Sequence, residues 1–335
     1  MKILTSVLCL LLIGIGTVYH FVTYTPYGRI DFSSAIILRI VNSFGSEKSA
    51  FDYTPEEFRE TMDGILIRSQ RKPEPIDHFE DKKVEWAAGF VPVRIYRSSL
   101  NEKLPVILYF HGGGWVSGSI ATHDNFCRRL AKVSSTVVVS VEYSLAPEVK
   151  FPIPLEQGYA VLQWLAAGES GLDIDEHKIV LAGDSAGATI AASISMMARD
   201  RNGPSIRSQI LLYPVTDLSG FKTESHMNFG TGYFLSTESL DWMRGLYLTK
   251  PDEAKNPLVS PLLAERHNNL PPALVVTAQF DPLSSEGRAY AQKLKSAGND
   301  CRYVHIPGVL HGFAQSRSKK SNNVLNMIAE ICAGL

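Results

Sequence analysis

Two kinds of hydrophobic pattern alternate along the chain. Short apolar runs, rich in β-branched residues, occur at 106–110, 137–141, 179–181, 210–213 and 273–277, and 302–306 repeats the theme in alternating form. Runs this short and this apolar mark strands buried on both faces of a sheet. Between them, residues 124–132, 154–167, 189–199 and 284–297 read as helices. Strands separated by helices predict an α/β fold, a mostly parallel sheet with helices on both faces. Ahead of these, Val84 to Trp86 and then Val91, Val93, Ile95 and Tyr96 alternate as a hairpin. Residues 24–75 are helical in pattern, and Thr54-Pro55-Glu56-Glu57 supplies a cap and a proline start. One stretch breaks the rhythm: 218–270 holds turn residues and a helix near 236–248, but no buried strand. It predicts an insertion over the strand ends, where such sheets bind ligands. The expected divisions are 24–80 as an N-terminal helical part of a cap, 218–270 as the cap insertion, and 81–217 with 271–335 as the sheet core.

The first residues follow another rule. Ile3 to Val22 are almost wholly apolar after Met1 and Lys2, and about twenty apolar residues just suffice to cross a bilayer as a helix. The run ends in Val18-Tyr19-His20-Phe21, without the small residues of a cleavage site. Tyr19, Phe21 and Tyr24 suit the water interface. Residues 1–23 are therefore expected to be an uncleaved, single-pass signal-anchor in a membrane. Lys2 and the terminal amine favour a cytoplasmic N-terminus and a folded domain on the non-cytoplasmic side, against which Arg29 and Arg39 weigh. A cleaved leader would make the protein secreted, and a buried helix is the plainer third reading.

Composition narrows the partners. The chain of 335 residues is 45% hydrophobic and 20% charged, enough apolar mass for a sizeable core. Its formal net charge of −1, with no basic run, excludes the usual footprint of a nucleic-acid partner. Cys9, Cys127, Cys301 and Cys332 form no C-x-x-C pair, allow at most one disulfide and point to no metal site. No H-E-x-x-H motif or phosphate loop occurs, so no metal or nucleotide cofactor is expected.

Candidate chemistry centres on Gly183-Asp184-Ser185-Ala186-Gly187, which follows one apolar run and precedes a small-residue helix. A sharp strand-to-helix bend holds its central residue in a strained conformation costing roughly 1–3 kcal/mol. Side chains two places either side would strike the neighbouring chain, which explains the glycines. A serine so placed is held proud of the sheet as a nucleophile. It needs a base, and histidine suits neutral pH. In the chain order these sheets use, the base comes last. His226 and His267 fall in the insertion and His305 within a strand, whereas His311 stands between glycines in the loop after the last strand. Two acids follow buried strands, Asp281 and Asp217. Asp281 lies on the strand next before the histidine strand and is preferred; Asp217 suits a turn into the insertion. Asp184, on the opposite face of the bend, reads as a turn-stabilising residue.

Catalysis at a carbonyl also needs amide donors for the oxyanion. Ala186 offers one. His111-Gly112-Gly113-Gly114-Trp115, directly after the strand ending at Phe110, offers the amides of Gly112 and Gly113. A dinucleotide loop would need glycine where Ser117 stands. His111, at the root of this loop, reads as a structural hydrogen bonder.

Taken in order, His111 to Trp115, Glu142-Tyr143-Ser144-Leu145-Ala146-Pro147-Glu148, Gly183 to Gly187, Asp281-Pro282-Leu283 and His311-Gly312-Phe313 resemble the hormone-sensitive-lipase-like carboxylesterases of the α/β-hydrolase superfamily. The resemblance spans roughly 105–313. It implies an α/β-hydrolase fold with a helical cap. It also implies a triad of Ser185, Asp281 and His311, oxyanion donors Gly112, Gly113 and Ala186, and a small-molecule ester substrate of short to medium chain. Within the insertion, Gly232-Tyr233-Phe234-Leu235 is similar to the family's cap signature. An anchor on this fold is similar to the arylacetamide-deacetylase branch. Trp115, Tyr233 and Phe234 are expected at the substrate, and Phe229 and Trp242 with them either line an acyl pocket or pack the cap onto the body. The family usually has arginine at Ser144, His-Pro at Val149-Lys150 and often an acid at Ser285, departures that bear on the cap and not on the triad. Amide deacetylation and lipase action are variants of the same machinery. A non-catalytic ligand-binding protein would be marked by loss of the serine or histidine, and both stand.

Overall fold

The β-branched runs form strands at the centre of the molecule. The structure is a computed structural model that describes residues 17, 19–44, 49–70, 72–99, 103–168 and 170–335. Eight strands make one sheet: β1 (His78–Trp86), β2 (Gly89–Arg97), β3 (Leu104–Phe110), β4 (Val137–Val141), β5 (Ile174–Asp184), β6 (Ser208–Leu212), β7 (Ala273–Phe280) and β8 (Cys301–Leu310). Their spatial order is β8-β7-β6-β5-β3-β4-β2-β1. β1 and β2 pair antiparallel, as does β2 with β4, and every other pairing is parallel.

Alternate residues of the central strands feed two cores. Val106, Leu108 and Phe110 face helices α4 (Ile153–Ala166), α5 (Ala186–Asp200) and α8 (Ser284–Ser296), whose Leu162, Ile190 and Leu294 are buried with them. Ile107 and Tyr109 join the opposite core, closed by Phe126 and Leu130 of α3 (Ile120–Ser134) and by Val324 and Ile328 of α9 (Lys319–Ala333). Each such large side chain contributes about 1.5–3 kcal/mol by leaving water. Helix α9 is absent from the sequence reading, although Val324, Leu325, Ile328 and Cys332 bury one helical face.

The segment before the sheet is less helical than its pattern predicts. Tyr24–Thr25 and Gly28–Arg29 pair as a two-residue antiparallel ladder across Pro26 and Tyr27, with Gly28 at φ +112°. Helices α1 (Phe32–Phe44) and α2 (Pro55–Ser69) follow, and Thr54 caps α2 as expected, accepting from the Glu57 amide. The expected boundary at residue 80 falls inside β1. A third apolar cluster, of Ile30, Ala35, Phe229, Phe280 and Leu310, joins α1 to the ends of β7 and β8. Between β6 and β7 the described residues hold no strand, only α6 (Glu224–Phe229), α7 (Thr237–Tyr247) and short 3-10 turns.

The expected membrane anchor lies for the most part outside the described residues. Among the described residues no helix is long and apolar enough to cross a membrane. Cys127, Cys301 and Cys332 are free and buried.

The β5–α5 bend is fixed by backbone proximity. A Cβ on Gly187 would sit 2.0 Å from the Phe110 carbonyl oxygen, and one on Gly183 would sit 2.4 Å from the Gly187 carbonyl carbon. Gly187→Ala should therefore cost more than the ~1–3 kcal/mol of ordinary overpacking. Gly245→Ala on α7, where a Cβ meets nothing within 4 Å, should leave stability unchanged or raised. Urea denaturation of the two variants checks the contrast.

Candidate active site

Three loops converge at the C-terminal edge of the parallel strands. Ser185 occupies the bend between β5 and α5 at φ 52°, ψ −122°, and its amide donates to the Leu212 carbonyl at 2.9 Å. The other two side chains owe their meeting to strand register. Leu310 at the end of β8 pairs with Phe280 at the end of β7, so His311 and Asp281 leave adjacent strands side by side. His311 Nδ1 lies 2.8 Å from Asp281 Oδ2, and His311 Nε2 lies 2.9 Å from Ser185 Oγ. Asp281 is fully buried, and its second oxygen accepts from the Leu283 amide at 2.9 Å. A carboxylate can only accept, so Nδ1 carries the ring proton and Nε2 is left to accept from the serine hydroxyl. The Tyr213 ring meets the imidazole edge to face at 4.8 Å and limits its tilt.

The glycine loop corrects one expectation. The Gly112 amide donates to Asp184 Oδ1 at 2.9 Å, so it is already engaged and does not face a substrate oxygen. Gly113 lies at φ +123°, with its carbonyl accepting from the Val116 and Ser117 amides, and a Cβ there would fall 2.1 Å from the Ser117 oxygen. Among the described residues, the amides of Gly113, Gly114 and Ala186 have no hydrogen-bond acceptor. Gly114, overlooked in the sequence, is thus as unengaged as Gly113. Its signal was the third glycine of the run. Met243 of α7 packs against it so closely that a Cβ on Gly114 would lie 2.0 Å from the Met243 sulfur.

Asp184 supports this loop from below. Its carboxylate also accepts from the Tyr109 hydroxyl at 2.6 Å and faces His123 Nε2 at 3.3 Å. Burial pushes the carboxyl up, but His123, Tyr109 and the Gly112 amide together outweigh it and bring it down to about 2. His111 is buried, with Nδ1 2.9 Å from the Gly112 oxygen, and its ring stacks on Tyr143 at 4.2 Å. Burial first, and His123 second, lower His111 to about 3, so it is a neutral structural ring. From α2, Arg59 donates to the carbonyls of Val116 and Ala146 at 2.6 Å each and pairs with Glu148, while Asp63 accepts from the Gly118 amide at 3.0 Å.

The remaining candidates sit elsewhere. Asp217 accepts from the Ser219 amide and hydroxyl and so closes a turn. Its own amide, with that of Thr216, donates to the buried Glu286, whose carboxyl burial raises well above the usual range. His226 Nε2 faces that carboxyl at 3.6 Å, His267 is bonded to the Pro261 carbonyl, and His305 to Thr277 on the neighbouring strand. Where the family often has an acid, Ser285 exchanges hydrogen bonds with Ser225, which also donates to the Pro282 carbonyl. The expected substrate aromatics divide. Trp115 is buried, stacked on Tyr247 at 4.6 Å, and joins the glycine loop to α7. Tyr233 stacks on Phe280 at 5.6 Å and meets Phe229 at 5.2 Å, packing the insertion onto the body. Trp242 packs on Phe58. Phe234 stays exposed.

Comparison with known proteins agrees with this geometry. A family profile described as alpha/beta hydrolase fold matches residues 107–315. Carboxylic ester hydrolase LipN of Mycobacterium tuberculosis is 35% identical over 294 residues, covering 85% of this chain and 77% of LipN. Ethyl acetate hydrolase of Pseudomonas putida is 35% identical over 246 residues, covering 72% of this chain and 77% of that protein. The crystal structure of EstE1, a thermostable carboxylesterase from a metagenomic library, superimposes with a TM-score of 0.81 at 39% identity, covering 85% of this chain and 99% of EstE1. Sheet order, serine bend and family match define an α/β hydrolase. Within that superfamily the chain belongs to the hormone-sensitive-lipase-like carboxylesterases.

The Asp184 network has a pH signature. Its folded pKa lies below the ordinary 3.8, so its contribution to stability is present above that value and is lost as pH falls through about 2. Asp184→Asn removes the titration. Across that window the wild-type chain should lose on the order of 2 kcal/mol more stability than the variant. Guanidinium denaturation at stepped pH measures the difference.

Proposed function

We propose that this chain hydrolyses carboxylic esters through an acyl-enzyme, with Ser185 as nucleophile, His311 as base and then acid, and Asp281 as the carboxylate that orients the imidazole. The observation supporting this reading is the relay of two hydrogen bonds, 2.9 and 2.8 Å, from serine to histidine to aspartate. As Ser185 Oγ attacks the ester carbonyl, its proton passes to His311 Nε2, and buried Asp281 stabilises the resulting imidazolium. Negative charge then gathers on the former carbonyl oxygen. The amides of Gly113, Gly114 and Ala186 receive it, aided by the positive end of α5. When the intermediate collapses, Nε2 returns the proton to the departing alkoxide. Water, deprotonated by the same nitrogen, frees the acid and restores the serine.

The substrates are esters of short to medium chain. Kinship with an ethyl acetate hydrolase supports the short end of that range. Residues 24–80 and 218–270 form the cap over the site. The apolar run from Ile3 to Val22 is a signal-anchor that places the catalytic domain on the non-cytoplasmic face of a membrane, a reading supported by its length and by the absence of a cleavage site.

Ser185→Ala should lower turnover of a short-chain aryl ester by more than about 10³-fold while the thermal midpoint stays unchanged. Retained turnover would remove the mechanism. For the anchor, the full-length chain should stay with the membrane pellet through an alkaline carbonate wash. Recovery of uncleaved chain in the supernatant would remove that part of the reading.

A further inference from the structure

We infer that the outer face of α1, together with the aromatic residues preceding it, lies on a lipid bilayer and sets the rim of the active site against it, so that lipophilic esters enter from the membrane. The inference rests on the esterase reading above and adds to the anchor: an anchor tethers the domain, whereas this face orients it.

The first observation is a concentration of exposed apolar side chains. Of the sixteen large hydrophobic residues exposed among the described residues, eight fall within residues 19–40. Isolated exposed apolar residues are ordinary, but contiguous ones mark an interaction surface. On α1, Phe32, Ile36, Ile37 and Ile40 are exposed and share one arc at helical spacing. Ala35 and Leu38 on the other side pack into the cluster with Phe280 and Leu310. The helix is thus apolar towards both protein and solvent.

Before α1, Tyr19, Phe21, Tyr24 and Tyr27 are also exposed, Phe21 at 73%. Tyr19 stacks on Phe32 at 6.0 Å, which makes the two groups one surface. Aromatic rings with a polar edge are the side chains that favour a membrane–water interface.

Charge fits the same partner. Residues 17–44 carry only Arg29, Asp31 and Arg39. The Asp31 carboxylate is held by Lys320 at 2.6 Å, whereas Arg29 lies over the Tyr19 ring and Arg39 donates to the Phe21 carbonyl. Among the described residues neither arginine has a carboxylate partner, and both stand among the aromatic residues where lipid phosphates would meet them. The chain outside the described residues points the same way. The described chain begins with Thr17 and Tyr19 at the edge of this patch, and most of the apolar run read as the anchor precedes them in sequence, so a bilayer that takes up the anchor meets this face.

The patch is also the back of the catalytic rim. Phe280 and Leu310, which α1 covers, immediately precede Asp281 and His311. The Asp31 amide donates to the Gly308 carbonyl at 2.8 Å, and Gln279 donates to the Tyr27 carbonyl at 2.9 Å. Asn42 donates to the Gly232 carbonyl in the insertion, where Phe234 and Met227 are exposed as well.

The test uses the full chain reconstituted with phosphatidylcholine vesicles, with and without brominated acyl chains. In an Ile37→Trp variant, fluorescence beyond that of the wild-type tryptophans should be quenched by the brominated lipid. A Val133→Trp variant on α3 should not be quenched. In parallel, Ile37→Asp combined with Ile40→Asp should reduce hydrolysis of a long-chain aryl ester dissolved in the vesicles by about tenfold or more, since two apolar contacts are lost. Hydrolysis of a water-soluble short ester should be unchanged. No quenching at 37, equal quenching at both positions, or equal rates on the vesicle ester would overturn the inference. So would a blue-shifted, unquenched tryptophan at 37, the sign of a second copy or of the leader covering the face. A wild-type chain that hydrolyses neither ester would remove the esterase reading, while the quenching result still decides the face.

Discussion

At the Ser185 bend two backbones pass closer than a side chain allows, and the rest of the site is arranged around that contact. The space that a methyl on Gly187 would take is held by the end of β3, at the Phe110 carbonyl. That proximity presses the start of α5 against the strand leading into the glycine loop, so Ser185 and the amides of Gly113, Gly114 and Ala186 are built from touching segments. The strained conformation of Ser185 is held from both flanking strands, by the Leu212 carbonyl of β6, which accepts from its amide, and by the packing of the Phe110 carbonyl of β3 against Gly187.

Around this contact, buried carboxylates serve as struts for backbone amides. Asp184 gathers the Gly112 amide, Tyr109 and His123, and Glu286 gathers the amides of Thr216 and Asp217. Their carboxyls are shifted in opposite directions for a physical reason. At Asp184, His123, Tyr109 and the Gly112 amide outweigh burial, whereas at Glu286 burial outweighs the two amides and raises the carboxyl above its usual range. One group therefore fixes the glycine loop. The other fixes the exit of β6 into the insertion, a turn from the Asp281 loop.

The parallel core was legible because its strands are buried on both faces and read as unbroken apolar runs. The edge strand β1 was legible only from Val84 onward, since its first residues, His78 to Lys83, alternate exposed with half-buried positions and include four charges in a row. Ser185, Asp281 and His311 were legible because each stands at the turn after a buried strand, and the order of those turns is restricted. The engagement of Gly112 was not, because it is decided by a carboxylate seventy-two positions away in the sequence. Nor could composition tell that Trp115 and Tyr233 spend their faces on other rings of the same chain. An aromatic residue beside a glycine loop looks the same in sequence whether it meets a ligand or a neighbour. The ladder at Tyr24–Arg29 interrupts a helical pattern because a proline and a left-handed glycine stop the helix there.

Helix α2 has a consequence for where the enzyme begins. The segment that matches the family starts at residue 107, yet Arg59 and Asp63 reach from α2 to grip Val116 and Gly118, just beyond the three glycines, and the Ala146 carbonyl beside them. The partly exposed ion pair of Arg59 with Glu148 adds little by itself, but among the described residues no other side chain donates to the two carbonyls that Arg59 spans. The stretch that recognisably matches the family is therefore braced from outside itself. The turn beyond its three glycines is held in part by a piece of chain that arrives earlier, so α2 belongs to the enzyme as much as the sheet does.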